Sequence, residues 1–335
     1  MWSRRALFGA GAGAAATAAL AAVAGPASAA GDDATASIGN GGPHVIPKDR
    51  IGLQVFTVRT LVPTSLEIGG TLEVVAEAGV KEIELAGTYY DKTTVEIRSI
   101  AESLGIRVAS NHFGPRSLDA PNPWATAQGR AQLFQEAHSL GLPIVGTGST
   151  IGIINEFTED SFRAMADLFN EWGEDAVRNG FDGFFFHNHD REFAIVNGRP
   201  LFDILLEETD PRYVKFEVDL GWVSVAGEDP YEYLRRHQSR FPMFHIKDIR
   251  WDPNGPRVAA AGTTNAGRRF GFADLGKGDV DWVRTLSALK DLRAHRYFIE
   301  HDDAGNLSLN PAGAPNTVWR GAKHLSQLTT RPGRR

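Results

Sequence analysis

A single-domain (β/α)8 barrel, the TIM-barrel architecture, is the fold class this sequence predicts, on three observations. Short apolar runs alternate with longer amphipathic ones eight times between Ile51 and Gln327, and strands alternating with helices imply a parallel sheet. Such units fill a length close to the roughly 250 residues typical of a closed barrel. Titratable or amide side chains stand at the carboxyl end of nearly every apolar run, the face on which these barrels carry their sites. A doubly wound open sheet is the main rival, but no Gly-x-Gly-x-x-Gly turn follows the first run.

In order, Ile51–Phe56 reads as a strand and Leu66–Ala78 as a helix. Lys81–Ala86 is a strand and Thr94–Leu104 a helix; Ile106–His112 and Trp124–Leu140 form the third pair, Pro143–Gly148 and Ser161–Asn179 the fourth. Phe184-Phe185-Phe186-His187-Asn188-His189 is a buried strand that ends in two imidazoles, followed by a short helix near Leu201–Glu207. Val214–Asp219 precedes a helix over Pro230–His237, Met243–Asp248 one over Trp282–Leu292, and Arg296–Glu300 one over Asn316–Gln327. Gly79, Gly105, Gly141 and Gly180 each follow a predicted helix, where a left-handed cap is expected. No internal repeat or second domain is evident.

The chain has 335 residues with a net charge of −6. Its one basic run is the short Arg331–Arg335 tail, which argues against nucleic acid as the partner. There are no cysteines, so stability must come from the core. Residues 1–30 read as a twin-arginine signal peptide. Ser3-Arg4-Arg5-Ala6-Leu7-Phe8 leads into a weakly apolar Gly/Ala tract and then Ala27-Ser28-Ala29-Ala30, a small-residue cleavage site. The tract is too short and too poor in large apolar residues to prefer a permanent membrane span. Export through the twin-arginine machinery and a secreted location are therefore expected. Residues 31–47, polar and Gly-rich, read as a disordered linker, leaving 48–330 for the barrel.

On a strand, residues i and i+2 share a face. His187 and His189, Glu217 and Asp219, and His245 and Lys247 are such pairs, with Glu82 and Glu84, His112, Gln54 and Glu300 at other strand ends. A His/Asp/His/Glu set on four successive strands points to a metal or acid/base centre.

In His187–Phe193, Phe216-Glu217-Val218-Asp219 with Trp222, His245-Ile246-Lys247-Asp248, Leu275–Trp282 and Ile299-Glu300-His301-Asp302, the chain resembles the xylose isomerase-like barrels. This sugar phosphate isomerase/epimerase family includes inosose dehydratases and ketose epimerases, and the resemblance covers Ile51 to Gln327. It implies a divalent metal held by the last four strands, with Asp219, His245 and Glu300 matching three ligands. The fifth-strand ligand is a glutamate in many members and His187 here; either His187 or His189 is the fourth ligand, or water is. Carboxylate and imidazole ligands suit Mn2+, Mg2+, Co2+ or Zn2+.

The resemblance implies removal of a proton next to a carbonyl of a small-molecule carbohydrate or cyclitol, with isomerisation or epimerisation as the first reading. Glu300 and His187 are the candidate bases, and Lys247 is a candidate for holding an oxyanion. Glu84, His112, His189 and Trp222 are candidate substrate contacts, Glu84 alternatively orienting a ligand histidine. A dehydratase or lyase that expels a β-substituent is the runner-up, since an imidazole can protonate a leaving oxygen. A non-catalytic carbohydrate-binding barrel is the third. The long segment Trp251–Asp281, with Arg268-Arg269, reads as a lid.

Overall fold

The computed structural model describes residues 44–64, 67–115, 120–254 and 269–330. The expected signal peptide, most of the expected linker, the centre of the expected lid with Arg268, and the basic tail lie outside the described residues.

Eight parallel strands carry the fold: β1 (Ile51–Gln54), β2 (Glu82–Leu85), β3 (Arg107–Asn111), β4 (Val145–Thr147), β5 (Phe184–His187), β6 (Val214–Asp219), β7 (Met243–Ile246) and β8 (Arg296–Ile299). They pair in the order β3-β2-β1-β8-β7-β6-β5-β4. One parallel bridge from His112 to Gly146 joins the two ends and closes the barrel. Nine helices among the described residues surround it: α1 (Glu67–Glu77), α2 (Thr94–Ser103), α3 (Ala127–Leu140), α4 (Glu159–Arg178), α5 (Leu201–Glu208), α6 (Leu220–Val225), α7 (Pro230–His237), α8 (Trp282–Ser287) and α9 (Gly313–Gln327). The expected strand–helix alternation is the observed one, with ends shifted by a few residues. The short α6 was not anticipated.

Local chemistry fixes these ends. Thr93 and Glu96 form a reciprocal capping box at the start of α2, and Thr126 and Thr158 cap α3 and α4. The four post-helical glycines, Gly79, Gly105, Gly141 and Gly180, all take positive φ. The linker expected to reach residue 47 gives way at His44. His44–Val45 pairs antiparallel with Thr329–Thr330, and Ile46 is buried. These backbone groups find partners in the chain's own carboxyl end, so they need not stay in solvent.

The aromatic run of β5 divides by strand alternation. Phe184 and Phe186 face outward and pack on Phe169 of α4, with ring centroids 4.8 and 5.1 Å away. Phe185 faces inward and forms an apolar plug with Ala109, Ile144, Met243 and Phe298. A barrel interior is a packed core of side-chain layers, and this plug is its lower layer. Above it the interior side chains of Gln54, Glu84, His112, His187, Glu217 and His245 are polar and hydrogen-bonded or paired with one another. Glu82, listed with the strand-end groups from sequence, lies at the amino end of β2 and pairs with Arg107 and Arg296 at the bottom.

Candidate active site

Inward positions on β5 to β8 and just beyond supply the i, i+2 pairs His187/His189, Glu217/Asp219, His245/Lys247 and Glu300/Asp302. They stack in two tiers over the plug. His112 of the closing bridge and Phe185 of the plug have ring centroids 5.9 Å apart, so the polar floor rests directly on the apolar core.

The lower tier is Glu84, His112, His187, Glu217 and the Nε2 side of His245. Glu84 Oε1 accepts from Gln54 Nε2 at 2.6 Å and lies 2.6 Å from His245 Nε2 and 3.1 Å from His112 Nε2. Glu217 Oε2 lies 2.7 Å from His112 Nε2, 3.3 Å from His245 Nε2 and 3.5 Å from His187 Nδ1. Burial alone would raise Glu84, but His112 and His245 hold it well below the usual carboxylate range. Burial, reinforced by Glu84, raises Glu217. Burial works against the His112 proton too, yet Glu84 and Glu217 hold that imidazole up to about 10. His187 is pushed well down by burial and by His245.

The upper tier gathers Asp219, Glu300 and Asp302 around Lys247. The ammonium lies 3.1 Å from Asp219 Oδ2, 3.0 Å from Glu300 Oε2 and 2.9 Å from Asp302 Oδ1. Against the cost of burial, these three keep Lys247 protonated well above its ordinary range. The faces of Trp222 and Phe272 cover it, 4.9 and 5.6 Å from Nζ. Asp219 Oδ1 accepts from Trp222 N at 2.9 Å, so the same carboxylate caps α6. The Asn188 side chain brackets the Asp219 backbone and ties β5 to β6. Burial raises Asp219 to about 6 despite Lys247. Glu300, though buried, is held low by Lys247 and by His245, whose Nδ1 is 2.7 Å from Oε2.

A cavity of about 930 Å³ opens above these tiers, with His112, His187, His189, Trp222, Lys247 and Glu300 among its walls. Of the expected substrate contacts, three line it; Glu84 does not, lying buried under His245 in the orienting position. His189 is on the wall beside Trp222, with ring centroids 5.8 Å apart. Burial and the Lys247 charge push it down to about 3, so it is a neutral imidazole. Glu192 accepts from His189 N at 2.7 Å and fixes the turn after β5. Asp248 accepts from the amides of Gly276, Gly278 and Val280, which explains the Leu275–Trp282 motif as a loop wound on one carboxylate. Beyond it, Asp248–Trp251 pairs with Phe270–Ala273 as the ribbon flanking the expected lid.

Asp219, His245 and Glu300 come within 4.8 Å of one another, as a metal site requires. His187, expected with them, instead falls in a second group with His112, Glu217 and His245. Turned down at the end of β5, its Nδ1 addresses Glu217. Sequence reasoning places Glu217 at a strand end without giving it a role and names Asp302 only within a motif, although each stands two residues from a chosen carboxylate on the same strand face. The donor set fits a divalent cation. Five carboxylates, Glu84, Glu217, Asp219, Glu300 and Asp302, gather around Lys247 and the imidazoles of His112 and His245. Both His245 nitrogens face carboxylate oxygens, and the buried Glu84 Oε2 and Glu217 Oε1 have no hydrogen-bond partner.

Over residues 72–324 the chain matches the family model described as the xylose isomerase-like TIM barrel. It belongs to that family and is an enzyme of that superfamily. It is 24% identical to an inosose dehydratase of Geobacillus thermodenitrificans over 265 residues, covering 73% of this chain and 87% of that protein. In other inosose dehydratases it matches, including that of Salmonella typhimurium, the alignment spans about half of the relative's length (56% there). Among solved structures it resembles a sugar phosphate isomerase/epimerase of Parabacteroides distasonis (TM-score 0.60, 20% identity, 88% of this chain and 98% of that one). It also resembles the IOLI protein with a bound zinc atom (TM-score 0.58, 15% identity, 82% and 95%).

Proposed function

We propose that this chain is a metal-dependent lyase that removes a proton next to the carbonyl of a sugar or cyclitol and expels an oxygen substituent from the β-carbon. The observation that carries this reading is the wall of the cavity facing Lys247. It presents the neutral imidazole of His189, and His187 occupies the fifth-strand position where the resemblance calls for a glutamate. Epimerisation needs acid/base groups on two faces of one carbon. Elimination needs one group that accepts the carbon's proton and returns it to the leaving oxygen, and a neutral imidazole does both. The inosose dehydratase relatives support the same choice over isomerisation.

In this scheme Lys247 donates to the carbonyl oxygen, where negative charge develops as the C–H bond breaks. His189 takes the proton. The C–H electrons become the enolate, the enolate re-forms the carbonyl while the β C–O bond breaks, and the departing oxygen collects the proton from His189. The products are an unsaturated ketone and water or an alcohol. Asp219, His245 and Glu300 would hold a divalent ion, Mn2+, Mg2+, Co2+ or Zn2+, which would supply Lewis-acid polarisation of the same carbonyl. Trp222 and Phe272 keep water from the ammonium, and Trp222, on the cavity wall, gives the ring an apolar face.

Incubation with keto-cyclitols and keto-glycosides tests the reading. Release of water or an aglycone, with appearance of a conjugated ketone, is expected; a product of unchanged mass would sink it in favour of isomerisation. His189→Gln should lower kcat about 10²- to 10⁴-fold while leaving the metal content unchanged. We also propose twin-arginine export, supported by Ser3–Phe8 and the Ala27–Ala30 cleavage site. Arg4→Lys with Arg5→Lys should retain the protein in the producing cells, measured by fractionation; continued secretion would refute it.

A further inference from the structure

The lower tier is more than support for the upper one. His112 Nε2, His187 Nδ1, His245 Nε2 and Glu217 Oε2 converge from β3, β5, β7 and β6, all within 4.8 Å of one another. Glu217 Oε2 is 2.7, 3.3 and 3.5 Å from the three nitrogens. A tetrahedral ion about 2.0–2.1 Å from each donor spaces its ligands roughly 3.4 Å apart, so this group needs only small side-chain adjustments.

Hydrogen bonding alone leaves the tier unsatisfied. His112 Nε2 carries at most one proton, yet it faces Glu217 Oε2 and Glu84 Oε1 together. Nδ1 of His187, a residue 2% exposed, is aimed into the group without a hydrogen bond, and Glu217 Oε1 is likewise without a donor. The His112 and His245 rings are stacked at 5.6 Å, with planes 18° apart, so charging both by protonation sets two cations face to face. A single cation among the four donors gives His187 Nδ1 a partner and removes the need to charge both stacked rings. With both ions bound, His245 would bridge the tiers as an imidazolate, its ring proton released on metal binding, Nδ1 upward and Nε2 downward.

We propose that the barrel floor is a second cation site, built from His112, His187, His245 and Glu217 and separate from the Asp219/Glu300 group. Three imidazoles and one carboxylate select a borderline ion, Zn2+ or Co2+, over Mg2+ or Ca2+. Glu84 Oε1, which accepts from Gln54 and faces the same His112 and His245 Nε2 atoms, would lie beside the ion as a further negative charge and a fifth donor within reach. His187 is on this assignment a ligand, not a base, which explains a histidine where the resemblance calls for glutamate. The upper ion rests on the reading of function given above; the lower one does not.

Full-length protein dialysed against Co2+ tests this by metal analysis and visible absorption. The wild type should hold two equivalents. Asp219→Asn with Glu300→Gln should keep one, with the intense bands of a four-coordinate, imidazole-rich site, and His112→Gln with Glu217→Gln should lose it. Circular dichroism would establish that both variants fold, and His187→Asn alone, a milder change, should weaken the lower ion at least 10-fold. A metal-free Asp219/Glu300 variant, or retention of both ions by the His112/Glu217 variant, overturns the second site. If instead the wild type holds one ion that is lost only with the His112/Glu217 pair, the lower site stands and the upper assignment fails.

Discussion

Glu192 shows how one residue couples site geometry to solution conditions. Its carboxylate is 2% exposed, holds the His189 amide, and is raised by burial to about 7. A carboxyl raised in the folded state stays protonated there while the unfolded chain ionises. Its contribution to stability is therefore complete below about pH 4.5 and is lost as pH rises through 7. Glu192→Gln keeps an acceptor for the amide and removes the ionisation. Melting temperatures measured from pH 5 to 8 should fall less steeply in the variant, and parallel curves would contradict the assignment. His295 and His301, both lowered chiefly by burial, act in the opposite sense below about pH 6.5, so the difference between the two proteins isolates Glu192. Several site residues were legible in the chain because they end apolar runs. Glu217 and Asp302 were harder to choose, because strand alternation puts two polar residues on the inward face and does not say which meets the cavity. Nor does sequence spacing reveal that His187 Nδ1 faces down to Glu217 while His189, on the turn held by Glu192, stands beside Trp222.

At the scale of the elements, the strand–helix alternation was readable because each segment keeps its own period and its own caps, as Thr93, Thr126 and Gly141 illustrate. The helix α6 was not, since six residues give too little periodicity and its cap, Asp219, had been assigned to the site. This element positions Lys247. A Cβ on Gly221 would stand 2.3 Å from the Lys247 backbone oxygen and 2.9 Å from its Cβ, so α6 packs against β7 with no room to spare. Gly221→Ala should cost about 1–3 kcal/mol of stability and displace the ammonium from Asp219 and Glu300. Denaturant melts check the first effect. A fall in kcat larger than any rise in KM checks the second, because Lys247 is proposed to act where charge develops in the reaction. A variant as stable and as active as the wild type would refute the close contact.

Across the whole molecule, a continuous core and a polar upper interior divide the work. Phe185, Met243 and Phe298 fill the bottom, and none of the described helices is long and apolar enough to cross a membrane. The seam between β3 and β4 is different in kind from the other strand contacts. Neighbouring strands elsewhere share ladders of three or four residue pairs, whereas His112 and Gly146 make one bridge, with Phe113 N donating to Gly146 O at 2.9 Å. The barrel thus has a built-in line of opening. Local unfolding follows the least protected backbone bonds, so the Phe113 amide should exchange with deuterium well before the inner amides of β6 and β7. Since His112 sits on that line, exchange there should slow when metal is added and quicken on chelation. The seam that completes the cylinder would then report, from the backbone, whether the floor beneath the cavity is filled.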